Sequence, residues 1–123
     1  MELKVIEGNF TICKIQDMSE INLKSEYYFV GKTDEENSLI CYEKDVPNNV
    51  IIREDGYKGF RIQGILDLSL IGILSKILTI LADNKIGIAA VATYNTDYVF
   101  IKEDNFERAL NVLANAGYRI TKA

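Results

Sequence analysis

A chain of 123 residues, 48% hydrophobic and 26% charged, has the make-up of one folded domain or of two small units sharing a core. Its 14 Lys and Arg are scattered among 18 Asp and Glu, which excludes the concentrated positive patch that nucleic-acid binding requires. With no histidine, Ser-His, Cys-His and His-metal chemistry are excluded, and an acid–base enzyme would have to run on carboxylates, Lys, Tyr or Cys.

The N-terminus, Met1-Glu2-Leu3-Lys4, lacks the basic segment and apolar core of a signal peptide, so a cytoplasmic protein is expected. Residues 10–15, 26–32, 38–42 and 50–53 read as strands, with turns at 34–37 and at Asp55-Gly56 and a short helix after Ser19. The first half, residues 1–56, is thus strand-rich and poor in helix. No residue-level repeat ties it to the second half. Cys13 and Cys41 lie inside apolar strand runs with no partner at metal-ligand spacing, and read as buried reduced thiols. Tyr27, Tyr28, Phe29, Tyr98 and Phe100 read as strand core.

The second half, residues 57–123, is more sharply patterned. Residues 57–62 form a strand. The apolar stretch 62–82 approaches the length of a membrane span, but Asp67 and Lys76 near its middle each cost about 2.5–3.5 kcal/mol in a bilayer, so it breaks at 67–69 instead. Asp67 and Ser69 are helix-capping residues there. A helix follows over 70–84: Leu70, Ile73, Leu74, Ile77, Leu78 and Leu81 make its buried stripe, and Ser75, Lys76, Thr79 and Asp83 its polar face. Residues 86–93 read as a buried strand, Tyr94-Asn95-Thr96 as a turn and 97–102 as its antiparallel partner. Asp104 and Glu107 stand at capping-box spacing before a second helix carrying Phe106, Ala109, Leu110 and Leu113, which Gly117 stops. A last strand at 118–121 completes β-α-β-β-α-β, a ferredoxin-like α+β arrangement with both helices on one face of an antiparallel sheet.

The segments Ile65-Leu66-Asp67-Leu68-Ser69-Leu70-Ile71-Gly72-Ile73-Leu74 and Ala92-Thr93-Tyr94-Asn95-Thr96-Asp97-Tyr98-Val99 resemble ACT domains, particularly short tandem-ACT proteins related to aspartate kinase regulatory domains and to the cytosolic arginine sensors of animals. The resemblance covers residues 56–123 well and the first half loosely, as a degenerate ACT-like unit. It implies a non-catalytic, allosteric module, without cofactor or metal, that binds a free amino acid between ACT units and reports it through a change in assembly or in a regulated enzyme partner. The implied assembly is a homodimer or higher homo-oligomer, with no membrane partner.

The residues themselves agree with that implication. A helix start near Leu70, Ile71, Gly72 and Ile73 offers unpaired N–H groups and the positive end of the helix dipole to an α-carboxylate. Asp97 supplies the opposite charge for an ammonium, and Thr93, Tyr94, Asn95 and Thr96 add neutral groups between them. Asp67 serves as cap, ligand contact or both. Gly72 reads as a helical glycine kept for a close approach. Two further readings compete: a ligand-free protein–protein interaction module, and a separate regulatory subunit of an amino-acid biosynthetic enzyme such as aspartate kinase. The run Phe60-Arg61-Ile62-Gln63-Gly64-Ile65 bears a faint likeness to the acylphosphatase phosphate loop, but Asp67 stands where such a loop needs a cation.

Overall fold

The computed structural model describes residues 1–64 and 72–122. The chain divides into two units, Gly8–Tyr57 and Met1–Glu7 together with Lys58–Ala123. The first seven residues thus go with the unit that begins again at Lys58. Strands β1 (Glu2–Ile15) and β4 (Val50–Ile62) each supply one part to each unit.

In the unit Gly8–Tyr57, β2 (Tyr28–Lys32) and β3 (Asn37–Tyr42) form an antiparallel hairpin, and β3 pairs antiparallel with β1 from Phe10↔Tyr42 to Ile15↔Asn37. The strand order β2-β3-β1-β4 is the ferredoxin-like order for four strands counted along the chain. The helices of that motif are missing. Residues 16–27 replace the first with turns, and a single 3-10 turn, Glu43–Asp45, replaces the second. The short helix expected after Ser19 does not form: Asp17 accepts from the Ser19 backbone N–H at 2.9 Å and Asn22 from that of Lys24 at 3.1 Å, so side chains close the backbone into turns instead. Alternation along β1 and β3 puts Cys13, Ile15, Leu39 and Cys41 on one face, where Met18, Ile21, Val46 and Val50 cover them. Both cysteines are free thiols and buried, and the hydrogen bond with Cys13, together with burial, pushes the Cys41 thiol pKa up. Asp55-Gly56 is not a turn. It lies within β4, where Gly56 takes a positive φ of 84° that a side chain would resist, and its N–H donates to Glu43 Oε2 at 2.7 Å.

In the other unit the order of elements after β4 is α1 (Ile73–Asp83), β5 (Ala89–Ala92), β6 (Asp97–Lys102), α2 (Glu103–Asn115) and β7 (Arg119–Lys122). This is the expected β-α-β-β-α-β series, with one difference in the sheet. The N-terminal part of β1 inserts beside β4, with Gln63 N–H donating to Glu2 O at 2.9 Å, and carries β7 on its other side in a parallel pair from Glu2↔Arg119 to Val5↔Lys122. The sheet is therefore mixed rather than wholly antiparallel.

The core of this unit explains which way its side chains face. Leu3, Phe60, Ile62, Val99 and Ile101 from the strands pack with Ile77 and Leu81 of α1 and Phe106, Ala109, Leu110 and Leu113 of α2. Both helices thus cover one face of the sheet. Strand residues between them point the other way: Gly59 and Phe100 meet there, and a Cβ on Gly59 would lie 2.8 Å from the Phe100 ring. Ser75, Lys76, Thr79 and Asp83 are exposed, as the helical stripe predicts.

Several local expectations are corrected. α2 starts at Glu103, so Asp104 lies in its first turn, favourably placed toward the helix dipole, and no side-chain cap forms at Lys102. The strand expected over 86–93 shortens to Ala89–Ala92, with Ala90 and Ala92 exposed, because β5 ends the strand order and has a neighbour only in β6. Of the aromatics expected in the core, Phe100 is fully buried, whereas Tyr27, Tyr28, Phe29 and Tyr98 are half-buried. Both helices end in Schellman motifs. In α1 the Ile86 N–H reaches Leu81 O at 3.0 Å and the Lys85 N–H reaches Ala82 O at 2.9 Å; in α2 Tyr118 and Gly117 bond Leu113 and Ala114 likewise.

Candidate functional site

The β5–β6 hairpin closes between Ala92↔Asp97 through Thr93–Thr96. The Thr93 N–H donates to Thr96 O at 2.9 Å, the Thr93 hydroxyl donates to the same oxygen at 2.7 Å, and the Thr96 N–H donates back to Thr93 Oγ1 at 3.3 Å. Thr96 is buried, and its hydroxyl donates to Ile62 O at 2.6 Å, tying the hairpin to the end of β4. Both threonines therefore hold the loop's shape. Tyr94 at the tip is 83% exposed. The β2–β3 hairpin closes the same way, with Thr33 N–H to Glu36 O at 2.9 Å and Glu36 N–H to Thr33 Oγ1 at 3.1 Å.

Thr93, Tyr94, Asn95 and Thr96 together line a cavity of about 470 Å³, with Arg61, Gln63, Gly64 and Tyr98 as its remaining described walls. The Arg61 Nε–H donates to Gln63 Oε1 at 3.0 Å, and its Nη1 lies 3.4 Å from the Tyr98 hydroxyl. Phe60 and Ile62 face the helices, so Arg61 between them projects from the opposite face; Tyr98, beside Val99, does likewise. Arg61, Gln63 and Gly64 entered the sequence analysis only through the faint acylphosphatase likeness and Tyr98 only as strand core, so none of the four was expected at the ligand site. The signal was present: polar residues alternate with buried Phe60 and Ile62 at the strand end that the hairpin must reach.

Asp97 opens β6 and shares the helix-side face with Val99 and Ile101. It lines neither this cavity nor the next one. α1 begins at Ile73, three residues later than expected, and Gly72 is its N-cap rather than an interior residue. Gly72 adopts φ 88°, and a Cβ there would meet nothing within 4 Å, so backbone conformation accounts for the glycine and close packing does not. No acidic side chain stands in the first turn of α1. Gly72 and Ile73 line a second cavity, of about 410 Å³, with Met1, Lys76, Ala116, Gly117 and Tyr118. The described residues of the expected site thus fall in three places: Thr93–Thr96 in one cavity, Gly72 and Ile73 in another, and Asp97 on the helix side of β6. Asp67, Leu70 and Ile71, together with Ser69, lie outside the described residues.

Among the described residues no group of three or more Cys, Asp or Glu is placed to hold a metal ion, and no helix is long and apolar enough to cross a membrane.

Known proteins place this geometry. No curated protein sequence matches the chain. Among solved structures, it is similar to protein Atu0741 from Agrobacterium tumefaciens, at 25% identity and TM-score 0.89 over 99% of this chain and 92% of that one. It also resembles the regulatory subunit of aspartate kinase from Thermus thermophilus, at 13% identity and TM-score 0.63 over 95% and 97% of the two chains. The aspartate kinase of Clostridium acetobutylicum, described as an allosteric enzyme, matches at 15% identity and TM-score 0.66 over 93% of this chain and 33% of its own. The ACT domain family profile matches residues 52–115, more than half the chain. With the β-α-β-β-α-β unit and its two helices on one sheet face, the match shows that the chain belongs to the ACT domain family.

Proposed function

We propose that the chain is a non-catalytic, cytoplasmic regulatory module that binds a free amino acid and reports its level to a partner. The observation that carries the reading is the placement of Asp97 on the helix side of the sheet, in a family member whose α1 starts without an acidic residue in its first turn. The free N–H groups from Gly72 and Ile73 onward, with Leu70 and Ile71 before them, receive the α-carboxylate. Asp97 takes the ammonium. Asp67 borders the ligand, and the hairpin Thr93, Tyr94, Asn95 and Thr96, whose cavity lies beside Arg61, fixes the start of β6 and so the position of Asp97.

Similarity to the regulatory subunit of an aspartate kinase supports a chain that acts on an enzyme of amino-acid biosynthesis, and we propose that it does so as a homodimer. The short edge strand β5, with Ala90 and Ala92 exposed, gives a second copy room to approach. A thermal-shift screen against the twenty amino acids tests the reading. A ligand at a hundred times its dissociation constant adds about 2.7 kcal/mol, a rise of several degrees for a chain this size. A flat response to all twenty at millimolar concentration contradicts it. Light scattering that finds a monomer with and without the ligand contradicts the dimer.

A further inference from the structure

The unit Gly8–Tyr57 holds two thiols for which amino-acid binding has no use. Cys13 stands opposite Leu39 and Cys41 opposite Thr11, so the cysteines are diagonal neighbours on β1 and β3, facing the same side. Their side chains are hydrogen-bonded to each other, which puts the two sulfurs within reach of a bond. Diagonal neighbours across an antiparallel pair lie about 7–8 Å apart between Cα atoms, at the outer limit of the roughly 6.8 Å that a relaxed disulfide spans. A bridge here draws the strands together under strain, and a strained disulfide is readily reduced again.

The cover over this pair differs from that over the other unit's core. There α1 and α2 seal the sheet, whereas here Met18, Ile21 and Val46 cover the thiols from segments without α-helix. The Ile21 and Val46 N–H groups close single turns at 3.5 Å, onto Met18 O and Glu43 O, and Asp17, Asn22 and Asn49 hold the segments through exposed side-chain bonds. Turns held this way open at lower free energy than a packed helix, and an opening admits a small oxidant. The two thiols are also unequal. The hydrogen bond from Cys41 holds the Cys13 thiol below its ordinary value, with help from the Arg53 guanidinium and against burial and the Asp55 carboxylate. That bond, burial and the Asp45 carboxylate push Cys41 up, against Arg53. Cys13 is therefore the better nucleophile.

We propose that Cys13 and Cys41 form an oxidation site for a small hydroperoxide, with Cys13 attacking and Cys41 resolving. Cys13 Sγ bonds one peroxide oxygen, the O–O bond breaks, and water or an alcohol leaves as Cys13 becomes a sulfenic acid. Cys41 Sγ then displaces the sulfenic oxygen as water and closes the disulfide. The sulfurs give an electron pair to the peroxide, and a thiol such as glutathione restores it by exchange.

Hydrogen peroxide is the probe, applied to the reduced full chain and, in a parallel reaction, to glutathione at the same thiol concentration. Both protein thiols should disappear at least as fast as glutathione, with a mass lower by about 2 Da and one linked peptide pair carrying Cys13 and Cys41, all reversed by dithiothreitol. In Cys41→Ser the reaction should stop at a Cys13 sulfenic acid that dimedone traps, and in Cys13→Ser the Cys41 thiol should react at least about tenfold more slowly. The native-chain result decides the proposal if either variant fails to fold. Thiols that outlast glutathione, linked peptides drawn from two chains, or a Cys41 in Cys13→Ser as reactive as the Cys13 in Cys41→Ser would each overturn it. None of these results bears on Asp97.

Discussion

The contact between Gly59 and Phe100 gives a sharp test of the sheet packing. A Cβ built on Gly59 lies 2.8 Å from Phe100 Cε1 and 2.9 Å from Cδ1, both closer than real Cβ atoms come, and 3.5 Å from Val99 O. Phe100 is 1% exposed, so its ring has little room to withdraw. Overpacking of this kind costs about 1–3 kcal/mol. Gly59 does not adopt a positive φ, so alanine also reduces the freedom of the unfolded chain and returns about 0.4–1 kcal/mol. Gly59→Ala should therefore destabilise by about 1–2 kcal/mol net, which lowers Tm by roughly 4–8 °C. Urea and thermal unfolding measure it directly. The decisive form is a double-mutant cycle with Phe100→Leu: the smaller, flexible side chain relieves the clash, and the two changes should couple by at least about 1 kcal/mol. Additive effects, or a Gly59→Ala protein as stable as the native one, would refute the placement of these residues against each other.

Three further outcomes follow from particular residues. Lys85 is the non-glycine residue with positive φ among those described, at 59°, in the position after α1 where glycine is favoured, so Lys85→Gly should stabilise by up to about 1 kcal/mol in chemical denaturation. Thr96→Val keeps the side-chain volume but removes the hydroxyl that serves Ile62 O, and should cost about 1–3 kcal/mol, read by thermal unfolding. The Arg119 guanidinium at 2.8 Å and the Thr121 hydroxyl at 2.9 Å hold the Glu2 carboxyl below its ordinary value of 4.5. A carboxylate whose folded value is depressed contributes stability above its unfolded value and loses it as pH falls through the folded one. Stability measured downward from pH 6 should thus fall below about pH 4.5, less steeply in Glu2→Gln; identical pH profiles would remove Glu2 from the account.

The second half of the chain was legible because its signals are local and redundant. The stripe Ile73, Ile77, Leu81 against exposed Ser75, Lys76, Thr79 and Asp83 fixes α1 by periodicity, and the β6 bounds fall where β-branched and aromatic residues predict. The pairing of residues 2–5 with β7 was not legible, since strand pairing across more than a hundred residues leaves no local pattern. The fusion of 50–53 with 57–62 into one strand was hidden by Asp55-Gly56, a turn signal that Glu43 overrides by bonding the Gly56 N–H. The first half obscured its ferredoxin-like strand order because its helices have shrunk to turns, and helices carry the clearest sequence period.

At the candidate site, the hairpin residues were read as a group, and Asp97 as the charge opposite the helix start. Arg61 stood out only within the acylphosphatase-like run, because the ACT resemblance places the carboxylate receptor at a helix start. The alternation that sends Arg61 and Tyr98 to one face and Asp97 to the other becomes informative only when β4 and β6 are known to share a sheet.

The central claim, that this ACT-family chain binds a free amino acid with Asp97 taking the ammonium, is tested most directly by calorimetry. The amino acid selected by thermal shift should bind the native protein at one site per chain. Asp97→Ala should weaken that binding by roughly thirtyfold or more, the loss expected when one partner of a desolvated charge pair is truncated, with unfolding still cooperative. Equal affinity of the native and Asp97→Ala proteins for that amino acid would contradict the account.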